Sequence, residues 1–284
     1  MSGIWIDGNK IAAQIRTQIK AEVATLSQKG IRPGLAVVLV GENPASQIYV
    51  RNKIKACQEV GFLSFDHTLP HSTTENELLR LIDSLNENPK VHGILLQLPL
   101  PPGFDTQKIM ERIAPKKDAD GFHPVNVGRL VLGLPGPKPC TPAGIMALLE
   151  SIPFSPAGKQ AVVVGRSNIV GKPVALMLTQ ANATVTVCHS QTKNLPDILK
   201  QADLVVTAIG KPKFIQGDWL KKGAVVIDVG MNRLSNGKLA GDCDFDSAAK
   251  IAKAITPVPG GVGPMTIAML LQNTLTLAKE STHA

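Results

Sequence analysis

The chain has 284 residues, 44% hydrophobic and 18% charged, a make-up that suits one large globular domain or two modest ones. No apolar run is long enough to span a bilayer, the start Met1-Ser2-Gly3-Ile4-Trp5-Ile6-Asp7 lacks the regions of a signal peptide, and four widely spaced cysteines suit a reducing compartment, so a cytoplasmic protein without membrane contact is expected. The net charge of +8 favours anionic partners, but the basic residues are scattered and aromatics make up only 4%, which argues against nucleic acid.

In chain order, Ile11, Ile15 and Ile19 at helical spacing predict an amphipathic helix over 9–29 that stops at Gly30. The continuous apolar run 35–40 predicts a strand buried on both faces. Asn43 as cap and Pro44 at the first helical position start a second helix, which Gly61 can stop. On it Ser46, Tyr49 and Lys53 share one face, and Val50, Ile54 and Cys57 form a neighbouring apolar stripe. A strand over 62–69, a helix over 74–85 and a buried strand over 92–98 follow in β-α-β rhythm.

From 99 to 142 prolines and glycines crowd the chain, which marks a candidate domain boundary. A helix starts within 144–149. The rhythm then restarts with strands over 161–164, 184–187, 204–208 and 224–228, and helices from about 170 and near 195–200. After a Pro/Gly cluster a last helix is expected over 266–279, with Thr266 as its cap. The expected architecture is two α/β domains with a cleft between them, the second a Rossmann-like doubly wound parallel sheet. Residues 1–139 and 264–284 form one domain and 140–263 the other.

An aromatic ring beside an amine and a hydroxyl, as at Tyr49, Lys53 and Ser46, is a platform for a flat polar ligand. Taken alone, a solvated lysine and a half-buried tyrosine would be the plainer reading. No Cys-x-x-Cys or paired-histidine spacing occurs, so no metal is expected.

The segment 161–173 runs from a strand through a glycine turn into a helix, the place where a dinucleotide fold offers backbone N–H groups to a pyrophosphate. Its order is Gly165-x-Ser167-x-x-x-Gly171 rather than the usual Gly-x-Gly-x-x-Gly. NAD-binding folds usually carry an acid at the end of the next strand. Here that strand runs out in Cys188-His189-Ser190, and Arg166, Ser167 and Ser190 are cationic or neutral donors. Donors without an acid favour NADP, whose 2′-phosphate needs them.

Five stretches carry a resemblance that covers nearly the whole chain: Ser46-Gln47-Ile48-Tyr49-Val50-Arg51-Asn52-Lys53, Gln97-Leu98-Pro99-Leu100-Pro101, Lys117-Asp118-Ala119-Asp120-Gly121-Phe122, the segment 165–173, and 257–266. In them the chain resembles the bifunctional methylenetetrahydrofolate dehydrogenase/methenyltetrahydrofolate cyclohydrolase family, bacterial type. Ala119 and Cys243 stand where the family commonly has valine. The resemblance implies that NADP takes a hydride from 5,10-methylenetetrahydrofolate and that water then opens the methenyl product to 10-formyltetrahydrofolate. It implies a first domain that binds folate and carries the catalysis, and a second that binds NADP.

Carried over by position, the resemblance makes Lys53 the catalytic lysine. Tyr49 stacks on the folate, Gln97 bonds and tunes Lys53, Asp120 grips the pterin and Ser46 positions the ligand. Leu98, Pro99 and the loop residues Pro259, Gly260, Gly261, Val262 and Gly263 border the substrate. Thr141, Gly165, Arg166, Ser167, Ser190, Met231 and Thr266 serve NADP, and the partners are tetrahydrofolate derivatives, polyglutamylated forms among them, and a second copy in a homodimer. A bound methenyl cation and partial burial would both push the Lys53 pKa down, which suits a proton carrier. Two competing classes remain on residues alone: another two-domain NADP dehydrogenase, and a non-catalytic protein that keeps a nucleotide fold. The first does not explain Tyr49, Gln97 and the 257–266 loop together, and the intact set Tyr49, Lys53, Gln97 and Asp120 argues against the second.

Overall fold

In a computed structural model the chain is described from Ile4 to Ser281, the side chain of Ala45 excepted. Strand β1 (Ile4–Trp5) leads to α1 (Gly8–Gln28), β2 (Gly34–Val40), α2 (Pro44–Val60), β3 (Leu63–Leu69), α3 (Glu75–Glu87) and β4 (Gly93–Leu96). Two short helices, α4 (Thr106–Arg112) and α5 (Pro124–Val131), and then α6 (Cys140–Glu150) occupy the stretch rich in proline and glycine. The chain continues through β5 (Gln160–Val164), α7 (Gly171–Gln180), β6 (Thr184–Cys188), α8 (Leu195–Leu199), β7 (Leu204–Thr207) and β8 (Val225–Asp228). A small hairpin, β9 (Asn232–Arg233) and β10 (Leu239–Ala240), precedes α9 (Phe245–Ile251), β11 (Ala254–Ile255) and α10 (Val262–Glu280).

The chain forms two compact α/β units. One comprises Gln14–Lys138 and the chain from Ile267 on; the other comprises Pro139–Thr266 and the residues up to Ala13. The first residues group with the later unit because β1 pairs in parallel with β11, Ile4 opposite Ala254 and Trp5 opposite Ile255.

The Gln14–Lys138 unit is built on a parallel sheet in the order β3-β2-β4. All seven residues of β2 are buried, as expected for a continuous aliphatic run sandwiched on both faces. Leu78, Ile82 and Leu85 recur at helical spacing on α3 and pack with Val38 and Ile94. Thr74 and Glu77 close a capping box at the start of α3: the Thr74 hydroxyl accepts from the Glu77 N–H at 3.3 Å, and the Glu77 carboxylate from the Thr74 N–H at 2.7 Å.

The other unit carries a six-stranded sheet in the order β1-β11-β8-β7-β5-β6, parallel throughout. The chain passes from β5 to β6 on one side and then crosses to β7 on the other side of β5. That reversal makes the ends of β5 and β7 the switch point where such sheets bind ligands. Val162, Val205, Val226 and Ile255 from four neighbouring strands share one core with Leu199 and Ile215.

Three sequence-based expectations change. The last helix begins at Val262, not Thr266, so Thr266 lies inside α10 and does not cap it. Pro264 falls in the first turn, where a missing N–H costs nothing. Helix α6 begins at Cys140, with Pro142 likewise in its first turn. The stretch 99–142, for which the sequence predicted a domain boundary and no regular element before 144, holds α4 and α5, capped by Asp105 and by the His123 ring. No helix among the described residues is long and apolar enough to cross a membrane.

Candidate active site

Helix α2 presents the first group of residues. Asn43 caps it by accepting the Ser46 N–H at 3.1 Å. Val50 and Cys57 are buried and anchor the helix on the sheet, which turns Tyr49 outward, 42% exposed. Ser46, one turn earlier on the same face, is buried. Lys53 Nζ donates to Gln97 Oε1 at 2.9 Å. Gln97 follows β4, and its own amide N–H₂ donates to the Leu98 carbonyl at 2.7 Å, which fixes which end of the amide faces the lysine. The Leu98–Pro99 peptide that follows is cis.

Asp120 is partly buried and lines a small pocket with Leu96, Leu98, Asp118, Phe122 and His123. The segment around it is fixed on both sides. Lys117, 8% exposed, donates to Leu85 O in the last turn of α3 at 3.0 Å and to Asn88 O just after it at 2.7 Å, and desolvation, reinforced by the neighbouring Lys116 charge, holds its pKa below the usual lysine value. The Ala119 carbonyl accepts from Asn273 at 2.9 Å. Asp118 is buried and accepts from the Gly121 N–H, the His123 N–H and the Asn126 amide at 2.8 to 3.0 Å. Sequence reasoning singled out Asp120 and passed over Asp118, although Asp118 organises the turn. The only available signal was the Asx-turn chemistry of an aspartate three residues before Gly121.

The Pro139–Thr266 unit holds the second group. Gly165 directly follows β5 with φ of 133°, and a Cβ there would strike the Ala208 carbonyl oxygen. A Cβ on Gly171 would strike the Gly165 carbonyl oxygen. Glycine at both places lets the turn pass tightly into α7. Ser167 Oγ accepts the N–H groups of Val170 at 3.1 Å and Gly171 at 3.3 Å. Arg166 and Ser190 are exposed at the ends of β5 and β6. This arrangement, a glycine cradle at a helix N-terminus beside a cation and hydroxyls with no acid at the end of β6, fits a phosphorylated dinucleotide.

Thr141 and Thr266 share a hydrogen bond at 3.0 Å between their hydroxyls. The Met231 methyl lies against Gly263, where a Cβ would come within 2.8 Å of it. Pro259 follows a second cis peptide. Gly260, at φ of 103°, accepts the Asn9 N–H at 3.2 Å and packs so close to Asn9 that a Cβ would come within 2.8 Å of its amide nitrogen. Gly261 sits against Pro257 and Thr256, and Val262 is buried. Among the described residues no three His, Cys, Asp or Glu side chains gather as they would around a metal ion.

Two family models match the chain. Tetrahydrofolate dehydrogenase/cyclohydrolase, catalytic domain, matches residues 6–120, and the NAD(P)-binding domain of the same family matches 139–282. A bifunctional FolD protein of Geotalea uraniireducens is 61% identical over 96% of this chain and 98% of its own length. The crystal structure of the FolD methylenetetrahydrofolate dehydrogenase/cyclohydrolase of Campylobacter jejuni superposes with a TM-score of 0.97 at 51% identity, over 98% of this chain and 99% of that one. The Trypanosoma brucei enzyme, solved with NADP cofactor and an inhibitor, gives a TM-score of 0.96 at 44% identity, with both chains fully covered.

Proposed function

The chain belongs to the tetrahydrofolate dehydrogenase/cyclohydrolase family, and from that premise we propose how its residues divide the two reactions. It is a bifunctional enzyme that oxidises 5,10-methylenetetrahydrofolate to 5,10-methenyltetrahydrofolate with NADP and hydrolyses the product to 10-formyltetrahydrofolate. Bound NADP supplies the hydride acceptor.

The labour follows the two units: folate on Gln14–Lys138, NADP on Pro139–Thr266. The observation that carries the hydrolytic role is the Lys53–Gln97 hydrogen bond. It holds the ammonium with a neutral acceptor, whereas a carboxylate would fix the lysine as a permanent cation. Having released a proton to solvent, the neutral Lys53 amine takes the proton of the water that attacks the methenyl carbon and returns it to the folate nitrogen that leaves. Tyr49 stacks on the folate ring, and Ser46 and Gln97 help to place the ligand. Asp120 accepts from the aminopyrimidine edge, where a charged acceptor is worth more than a neutral one. Leu98 and Pro99 border the substrate.

On the other unit Gly165 and Ser167 serve the pyrophosphate, while Arg166 and Ser190 serve the 2′-phosphate. Met231, Thr141 and Thr266 serve the nicotinamide end. A homodimer is supported by β6, an edge strand whose residues except Cys188 are at least partly exposed. The scattered basic residues support the small acidic folates, with or without a polyglutamate tail, as partners in place of nucleic acid. The four cysteines, all buried and free of disulfides, support a reducing compartment such as the cytoplasm.

The test is a progress curve with methylene-tetrahydrofolate and NADP, and again with NAD, following reduced cofactor and methenyl product separately. Reduction with NADP and little lasting methenyl is expected. Methenyl that accumulates would remove the proton-carrier role from Lys53.

A further inference from the structure

The binding crevice of a parallel sheet opens at the switch point, here the ends of β5 and β7. One wall is the Gly165 turn. The other is the segment 208–211 that leaves β7, and the two touch at Ala208. The second wall is held by a side chain that the sequence did not single out.

Asp242 has no solvent exposure and sits just after β10. Its Oδ2 accepts from the Ile209 N–H at 2.7 Å and the Gly210 N–H at 3.2 Å. Its Oδ1 accepts from the Lys211 N–H at 2.9 Å and the Asn232 amide at 2.9 Å. Behind it stands Asp228 at the end of β8, 4% exposed. Asp228 accepts from the N–H groups of Gly230, Asp242 and Cys243 at 2.8 to 2.9 Å, and from the Thr207 hydroxyl at 3.1 Å.

Every partner of both carboxylates is a donor, and among the described residues no lysine or arginine forms an ion pair with either. Two buried acids without a cation are costly, so backbone N–H groups must stabilise them. Glycine lets the backbone close over both: a Cβ on Gly230 would strike the Asp242 carboxylate, and one on Gly241 the Asp228 carboxylate.

We propose that Asp242, itself held by Asp228, is a positioning residue for NADP: it fixes the 209–211 wall and the Asn232 end of the segment that carries Met231. The inference rests on the NADP-dependent activity of the chain, and the hydrolysis of methenyl-tetrahydrofolate, which needs no NADP, separates its failure from failure of that reading.

The test is Asp242→Asn. The amide keeps the size but turns one acceptor into a donor that faces backbone N–H groups, so the wall must shift. NADPH affinity, read by nicotinamide fluorescence, is expected to weaken at least tenfold and the KM for NADP to rise in step. Hydrolysis of methenyl-tetrahydrofolate without NADP is expected to stay within twofold. Unchanged NADPH affinity overturns the proposal, and so does a parallel loss of hydrolysis, which would mean that Asp242 serves the fold alone. Should Asp242→Asn fail to fold, Asn232→Ala, which removes one donor from Oδ1, decides: an approximately threefold loss of NADPH affinity supports the role, and none overturns it.

Discussion

Lys53 and Asp120 contrast in how much of their setting the sequence shows. Helical spacing was enough to place Ser46, Tyr49 and Lys53 on one face of α2, because the period of 3.6 and the Asn43-Pro44 start are local signals. The partner of Lys53 is 44 residues away, and no local rule joins Lys53 to Gln97. Likewise the alternation Asp118-Ala119-Asp120 does not say which acid is buried in the turn. Asp228, at the end of a strand, and Asp242, in the run Gly241-Asp242-Cys243-Asp244-Phe245-Asp246, gave no local sign that they are buried and face each other's segments. Lys53→Met should lower hydrolysis of methenyl-tetrahydrofolate at least about 100-fold, the usual scale for a lost proton carrier, and leave NADP affinity unchanged by fluorescence titration. Normal hydrolysis in that variant would assign the proton transfer elsewhere. Asp120→Ala should weaken folate binding far more than NADP binding in paired calorimetric titrations; equal losses would point to a damaged turn.

Among elements, those with a strong period or a continuous buried run were readable, as α1, β2, α3 and β5 show. The missed ones are short. Strands β1 and β11 have two residues each, too few for any alternation to register, and exist because they pair with each other and β11 pairs in turn with β8. Helices α4 and α5 hide in a stretch where proline and glycine read as loop, yet Pro124 is the first residue of α5 and helps to start it. Helix α3 shows what a legible start is worth. Thr74→Ala removes one half of its capping box and should cost about 1 kcal/mol, measured as a shift in the urea midpoint. The same loss in Thr74→Ser would mean that the hydroxyl contributes nothing.

For the whole molecule, charge and burial give opposing pH responses. The Lys221 ammonium and then the Gln160 N–H bond Asp203, at 2.6 and 3.0 Å, and hold its carboxyl below the ordinary range. A carboxyl lowered on folding stabilises above its unfolded pKa of about 4, and that contribution fades as pH falls through the folded value. Burial instead pushes Asp228 up to about 6, against the pull of its N–H donors. Its contribution is full below about 4 and is lost as pH rises through about 6. Asp203→Asn should therefore lower Tm at pH 7 and show a smaller deficit at pH 3. A deficit equal at both pH values would assign the effect to the geometry of the Gln160 contact and not to charge.

The pairing of Ile4 with Ala254 also orders events during synthesis. Strand β1 leaves the ribosome about 250 residues before its neighbour β11. At roughly 5–20 residues per second that is a wait on the order of 10–50 s. Throughout that interval Trp5 and Ile6 have no sheet to join, while the later strands can assemble as they emerge. The six-stranded sheet is therefore completed only at the end, when β11 joins β8 and β1 closes on β11, and a chain stalled before residue 254 would hold a nucleotide fold with one flank still open.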